Sequence, residues 1–293
     1  MSTPNPAPGS SSDGMPPPHN PILTAYENFV QSTPLVSRYV MNTLGISYIT
    51  SYFIDVTFAL SNIPYFSVNR LEIYRIILSP LICSSIFTLV IAYFSFVDHG
   101  KRLEFSMGSA QFFYLLSSLA CVVNSIHIVL TYLLWMLSGD QSWVLLQASG
   151  IWTILFPMIA IECVNAPPQS IRQLFMFTVP TIYYPLVLVG LFSLLGGIQM
   201  ANCLAVAVGY AYGYGYLDKL KISDAKAKQL EDTYLANFAR REGWVTGHAA
   251  TGSAAWNDMG ASGSSQVGAA SGDVLVSFSF PCTLNQFVLL DCF

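Results

Sequence analysis

The sequence predicts an all-α membrane protein, a bundle of six transmembrane helices flanked by disordered cytosolic tails. Three observations carry that expectation. Of 293 residues, 53% are apolar and only 10% charged, whereas about a quarter of the residues in a soluble domain carry charge. Between residues 40 and 217 nearly all charges fall in gaps between long apolar runs, as they must if each helix crosses ~30 Å of hydrocarbon with roughly 20 apolar residues. With the N-terminus in the cytoplasm, Arg38, Lys101, Arg102, Arg172, Lys219, Lys221, Lys226, Lys228, Arg240 and Arg241 lie inside, against Arg70 and Arg75 outside. Such a positive-inside bias also requires an even number of spans.

The same numbers exclude several classes. A net charge of -4 offers no basic field to a nucleic acid. Six cysteines without a C-x-x-C pair, mostly inside apolar runs, read as small buried hydrophobes rather than a disulfide framework. The four histidines (His19, His99, His127, His248) show no ligand spacing, so neither a metal nor another cofactor is expected.

Residues 1–37 read as an N-terminal tail. The first twenty are rich in Pro and Ser and carry too little apolar surface to offset chain entropy; without a basic start and an apolar run they are no signal peptide. The membrane domain covers 38–217, with apolar runs at about 40–62, 76–97, 109–137, 142–164, 174–196 and 198–217. Gly196-Gly197 divides the last two, and the fifth carries Pro180 and Pro185, which a helix buried among others accommodates. Residues 218–245 have mixed charge and read as a short cytosolic helix, with a solvated face or a membrane-surface face as alternatives. Residues 246–293 form a low-complexity C-terminal tail, rich in Gly, Ala and Ser, whose apolar end is broken by Pro281 and is too short for a seventh span.

Few polar side chains fall within the runs, and each is costly in lipid. Asp55 and Glu162 are the charged ones, and snorkelling to an interface accounts for both. His127 and Asn124 share one face of the third run, as interhelical hydrogen-bonding partners would. Gln147-Ala148-Ser149-Gly150 in the fourth run and Asn202 in the sixth are the more informative pair. Counted at 1.5 Å per residue, both lie within roughly 10 Å of the outer interface, so they can meet at one depth. Ala205, Gly209 and Gly213 recur every fourth residue along the sixth run, a smooth stripe that lets helix backbones approach closely in lipid.

These residues resemble the rhomboid superfamily of intramembrane serine proteases and their inactive relatives. Tyr74-Arg75 is similar to the family's Trp-Arg loop motif. Gly100, Leu103-Glu104 and Met107-Gly108-Ser109 resemble the G-x-x-L-E-x-x-M-G-S connection between its second and third helices. Ala148-Ser149-Gly150 stands where the G-x-S-G nucleophile motif belongs, and Gly209 to Leu217, with Gly213, resembles the last helix. The order is most similar to the plant-type rhomboid-like proteins that end in a ubiquitin-associated domain. No such domain is evident here, so ubiquitin binding is not expected.

The resemblance implies a chemistry that the residues then fail to supply. A serine hydroxyl is a weak nucleophile until a neighbouring base takes its proton. Asn202 occupies the position of the catalytic histidine, and an amide cannot act as general base. Cys83, Thr88 and Ala92 stand where active members keep oxyanion donors on the second helix, and Gln147 replaces the leading Gly of the nucleophile motif. Losing one oxyanion donor alone costs about 100- to 1000-fold in rate. Ser149 and Gly150 are what remains, and His127 is the one conceivable substitute base.

The resemblance therefore implies a pseudoprotease in the endomembrane system, endoplasmic reticulum or Golgi, with both termini cytoplasmic. It would bind transmembrane client proteins laterally, within membrane lipid, and influence their trafficking or degradation. An active serine endopeptidase using Ser149 is the first alternative. A transporter or channel is the second, disfavoured because no repeated half is visible and ionisable residues are few.

Overall fold

The computed structural model describes residues 21–174, 177–197 and 199–246. The chain starts with α1 (Pro21–Ser32) and α2 (Leu35–Thr50), then breaks into three short helices, α3 (Val56–Leu60), α4 (Pro64–Asn69) and α5 (Tyr74–Leu78). A 3-10 turn at Ser79–Leu81 leads to α6 (Ile86–Met107), α7 (Ser109–Ser138) and α8 (Trp152–Asn165). A hairpin of β1 (Ile171–Leu174) and β2 (Phe177–Pro180) precedes α9 (Tyr184–Gly196) and α10 (Met200–Gly213), and α11 (Asp224–Thr233) and α12 (Ala236–Ala239) follow.

α8 is the centre of the bundle. Every residue from Thr153 to Cys163 is buried, whichever way it points, and a helix apolar on all sides has to be enclosed by others. α10 packs along α8 more extensively than any other pair of helices. The stripe read from the sequence makes this possible: a Cβ on Gly209 would lie 2.6 Å from Pro157 Cα, and one on Gly213 would lie 2.9 Å from Val164 Cβ. α6 and α7 close the core with Phe96, Leu103, Phe112, Leu119 and Val123, and α2 adds Leu44.

The Gly100–Ser109 motif acquires a structural meaning at the start of α2. Pro34 is the N-cap there and has no side-chain acceptor to offer, so the first amides of the helix need a partner from elsewhere. Glu104, fully buried, supplies it: Oε1 accepts from Val36 N and Oε2 from Ser37 N, both at 2.9 Å. The hydroxyls of Ser37 and Ser109 donate to the same carboxylate at 2.8 and 2.5 Å, and a negative group suits a helix N-terminus. Gly100 lets α2 come this close, since a Cβ would stand 2.8 Å from Ser37 Oγ. Gly108, at φ +90, turns the chain from α6 into α7.

Several sequence expectations are corrected. The fold is not purely helical, because the start of the fifth run forms the antiparallel β1–β2 hairpin, with Ile171 opposite Pro180. From Pro21 on, where the sequence places the onset of order, α1 and the first residues of α2 take the place of the tail expected up to residue 37. The third run coincides with α7, which at 30 residues is ~45 Å long. Among the described residues α7 alone is both long and apolar enough to cross a membrane; α6 joins Tyr74–Leu81 through an 89° bend, and α8, α9 and α10 are apolar but shorter. The first run breaks after Thr50, where Asp55 caps α3 by accepting from Phe58 N at 3.0 Å. In 218–245 the single expected helix is divided into a 3-10 turn, α11 and α12. The stretches 1–20 and 247–293, with the C-terminal apolar end, lie outside the described residues.

Candidate functional site

Ser149 lies in the connection from α7 to α8, three residues before the helix, and not seven residues inside it. The connection begins at Gly139, whose φ of +71 ends α7. Asp140 then caps a 3-10 turn over Gln141–Leu145, accepting from Ser142 N at 2.9 Å and Ser142 Oγ at 2.7 Å. Those hydrogen bonds hold its carboxyl below the usual carboxylate range. Val144, Leu145 and Leu146 look like helix interior by hydropathy, but their backbone follows this turn.

Two main-chain anchors hold the serine in place. Asn62 and Ala148 exchange both backbone hydrogen bonds, at 3.0 and 2.9 Å. Gly150, at φ +93, donates its amide to Ser79 O at 2.9 Å, a backbone conformation that favours glycine. Asn62 is itself fixed, because its Nδ2 donates to Asn124 Oδ1 at 3.0 Å and its Oδ1 accepts from Ser67 Oγ at 2.9 Å. Asn124 Nδ2 donates in turn to Ile76 O at 2.9 Å.

Tyr74-Arg75 belongs to the same framework. Arg75 is buried and donates from one terminal nitrogen to Phe58 O at 2.8 Å and Ser61 O at 2.9 Å, while pairing with Glu72. Its forked donor set ties the end of α3 to α5. Tyr74 is half-exposed, with the Arg75 guanidinium over its ring.

The positions singled out by the resemblance fall on separate elements. Asn202 is the third residue of α10; its Nδ2 donates to Gln199 Oε1 at 3.0 Å, and its Oδ1 is buried without a partner. Among the described residues no hydrogen bond joins it to Ser149. His127 is fully buried, and neither ring nitrogen has a hydrogen-bond partner, Ser149 included. Of the oxyanion positions, Cys83 is not on the second helix: it lies in the break before α6, where Ser47 Oγ accepts its amide at 3.1 Å and its thiol donates to Ser85 O. Thr88 and Ala92 are on α6, and Ala92 is buried without any donor to offer.

Sequence reading passed over a second polar cluster. Glu162 Oε2 accepts from Arg172 at 3.2 Å and pairs with His99 Nδ1 at 2.9 Å, linking α8 to β1 and α6, while Oε1 stays buried and unpaired. Arg172 also lies over the Tyr184 ring. The pairing ties Glu162 to its neighbours, in place of a carboxylate reaching for an interface. The signal was Arg172 in a short polar gap ten residues after Glu162, but nothing local indicated that His99 would meet them.

Residues 38–243 match the family described as Eukaryotic integral membrane protein (DUF1751). The chain belongs to this family. Its membrane localisation follows from that membership. Rhomboid-like protein 15 of Arabidopsis thaliana is 26% identical over 180 residues, covering 59% of this chain. The chain spans 44% of the length of that relative. The family and this relative together support the rhomboid-like resemblance of the chain.

Proposed function

We propose that this family member is a six-span rhomboid-like pseudoprotease of the endomembrane system that binds transmembrane clients and influences their trafficking or degradation. In this reading α2, α6, α7, α8, α9 and α10 are the six spans, and both termini are cytoplasmic. The observation that carries it is Asn202. It stands where the resemblance puts the catalytic base, is held by Gln199, and keeps a buried carbonyl oxygen free of partners. An amide there cannot strip a proton from Ser149, but an unpaired buried acceptor gains by receiving a hydrogen bond from a polar group that enters the membrane beside it.

Two measurements test the reading. A fluorophosphonate probe should leave the purified protein unlabelled, and Ser149→Ala should change nothing. Labelling that disappears in Ser149→Ala would establish the protease instead. Photocrosslinkers placed on the exposed face of α9 should capture single-span membrane proteins, and Asn202→Leu should reduce the yield several-fold. Capture of soluble proteins alone would overturn the client reading.

A further inference from the structure

After α12 the chain runs across the feet of α2 and α7 without regular structure. Leu35 donates its amide to Gly243 O and Ser109 donates its amide to Val245 O, both at 2.8 Å; Val245 N donates back to Ser109 Oγ at 3.0 Å. Flanking side chains hold this segment down. Trp244 Nε1 donates to Glu231 Oε1 at 2.6 Å, and Arg241 bonds to the Tyr39 hydroxyl. Gly243 has φ +91, a conformation that residues with a Cβ rarely adopt, and a Cβ there would also displace the flexible end of Arg38, so its place favours glycine.

The segment completes the capping that Glu104 begins. Glu104 serves the amides of Val36 and Ser37, while Gly243 serves that of Leu35. Ser109 links the two, donating to Glu104 and accepting from Val245. From there α2 extends 16 residues, about 24 Å. Near its far end Ser47 Oγ accepts the Cys83 amide. Cys83 lies in the break that begins at Ser79, and Ser79 O receives the amide of Gly150, next to Ser149. One stiff helix thus has the segment at its foot and the support of the serine loop at its head.

We propose that residues 243–245 are a release strap, and that freeing them from α2 and α7 is transmitted along α2 to the loop carrying Ser149. Two main-chain hydrogen bonds, one more from Val245 N to the Ser109 hydroxyl, and few buried apolar groups hold the strap, so it opens more readily than the α8–α10 core. The two arrangements, strapped and released, differ in whether Leu35 N at the start of α2 and Ser109 N at the start of α7 have their acceptors, while Glu104 serves Val36 and Ser37 in both, which gives the coupling a defined two-state element. Its bearing on client binding rests on the reading above, whereas the mechanical link does not.

Hydrogen exchange, followed by mass spectrometry on the full chain in detergent, tests the link. Gly243→Val should raise exchange about tenfold in 35–38 and 109–112, and also in 79–84 and 147–151, while 203–212 stays protected. No change at 35–38 overturns the strap. A rise there without one at 79–84 and 147–151 overturns the transmission. If Gly243→Val loosens all segments alike, Trp244→Ala decides: it removes an anchor without a collision and should give the same selective pattern more weakly, and a uniform or absent response refutes the proposal. Client crosslinking on the same samples separates the two ideas, because selective exchange without captured clients sinks the client reading alone.

Discussion

Gly209→Ala probes the tightest approach in the bundle. The new methyl would lie 2.6 Å from Pro157 Cα, 2.7 Å from Pro157 O and 2.7 Å from Ala160 Cβ. Two of these three atoms are backbone, and no rotation of a flexible side chain relieves them. Overpacking of this kind costs about 1–3 kcal/mol, offset by up to about 1 kcal/mol from replacing a helical glycine with alanine. A net loss of about 1–2 kcal/mol corresponds to a fall in Tm of roughly 2–8 °C for a chain of this size. The assay is thermal unfolding of the purified protein in detergent, with Gly190→Ala in α9 as reference. A Cβ at Gly190 meets nothing within 4 Å, so that variant should be unchanged or slightly more stable. If Gly209→Ala melts with Gly190→Ala, the close packing of α10 on α8 is refuted.

Other expectations follow from the caps and anchors. Glu104→Gln replaces one of two acceptor oxygens with a donor that faces the helix amides or the serine hydroxyls, and should cost about 2–4 kcal/mol, read as a lower denaturation midpoint. Gly100→Ala drives a methyl into Ser37 Oγ, an atom already bonded to Glu104, so it should destabilise more than Gly45→Ala, where a Cβ meets nothing; equal midpoints would contradict this. Asn62→Leu removes the side-chain bonds to Asn124 and Ser67 and should raise hydrogen exchange at Ala148 while leaving α10 protected. The Asp140 carboxyl is depressed by its bonds from Ser142, so its cap is fully present at neutral pH and is lost as pH falls through that lowered value, beneath the usual carboxylate range. Proteolysis within 139–146 by an acid protease should therefore rise in strong acid for the natural chain, and Asp140→Asn should show a flatter profile.

Hydropathy located what depends on apolarity alone. The third run, 109–137, coincides with α7 at 109–138, and the Ala205–Gly209–Gly213 stripe packs where close approach was expected. It misplaced elements whose backbone is set by hydrogen bonds. Residues 142–151 are apolar enough to extend a helix, but the Asp140 cap, the bridge to Asn62 and the Gly150–Ser79 bond impose a loop. Residues 171–180 pair as a hairpin instead of starting the fifth helix. Cys83 falls in a break because residues 82–85 leave the helix before α6 begins. At the site, Ser149 and Asn202 were singled out by motif order. The Asn62–Asn124 and His99–Glu162 pairs were not, since their members lie 62 and 63 residues apart and no local pattern joins them.

Borrowing the cap of α2 from a residue 68 positions later also sets a schedule for biosynthesis. In the six-span reading proposed above, where α2 is the first span, the leading amides of that helix are bare while Glu104 is still inside the ribosome, and each costs several kcal/mol in hydrocarbon. The foot of that helix should therefore wait at the headgroups, or within the insertion machinery, until the turn at Gly108 has emerged. A thiol reagent confined to water should modify Ser37→Cys in nascent chains arrested before that turn and spare it in longer ones; equal modification at both lengths would mean the helix settles unaided.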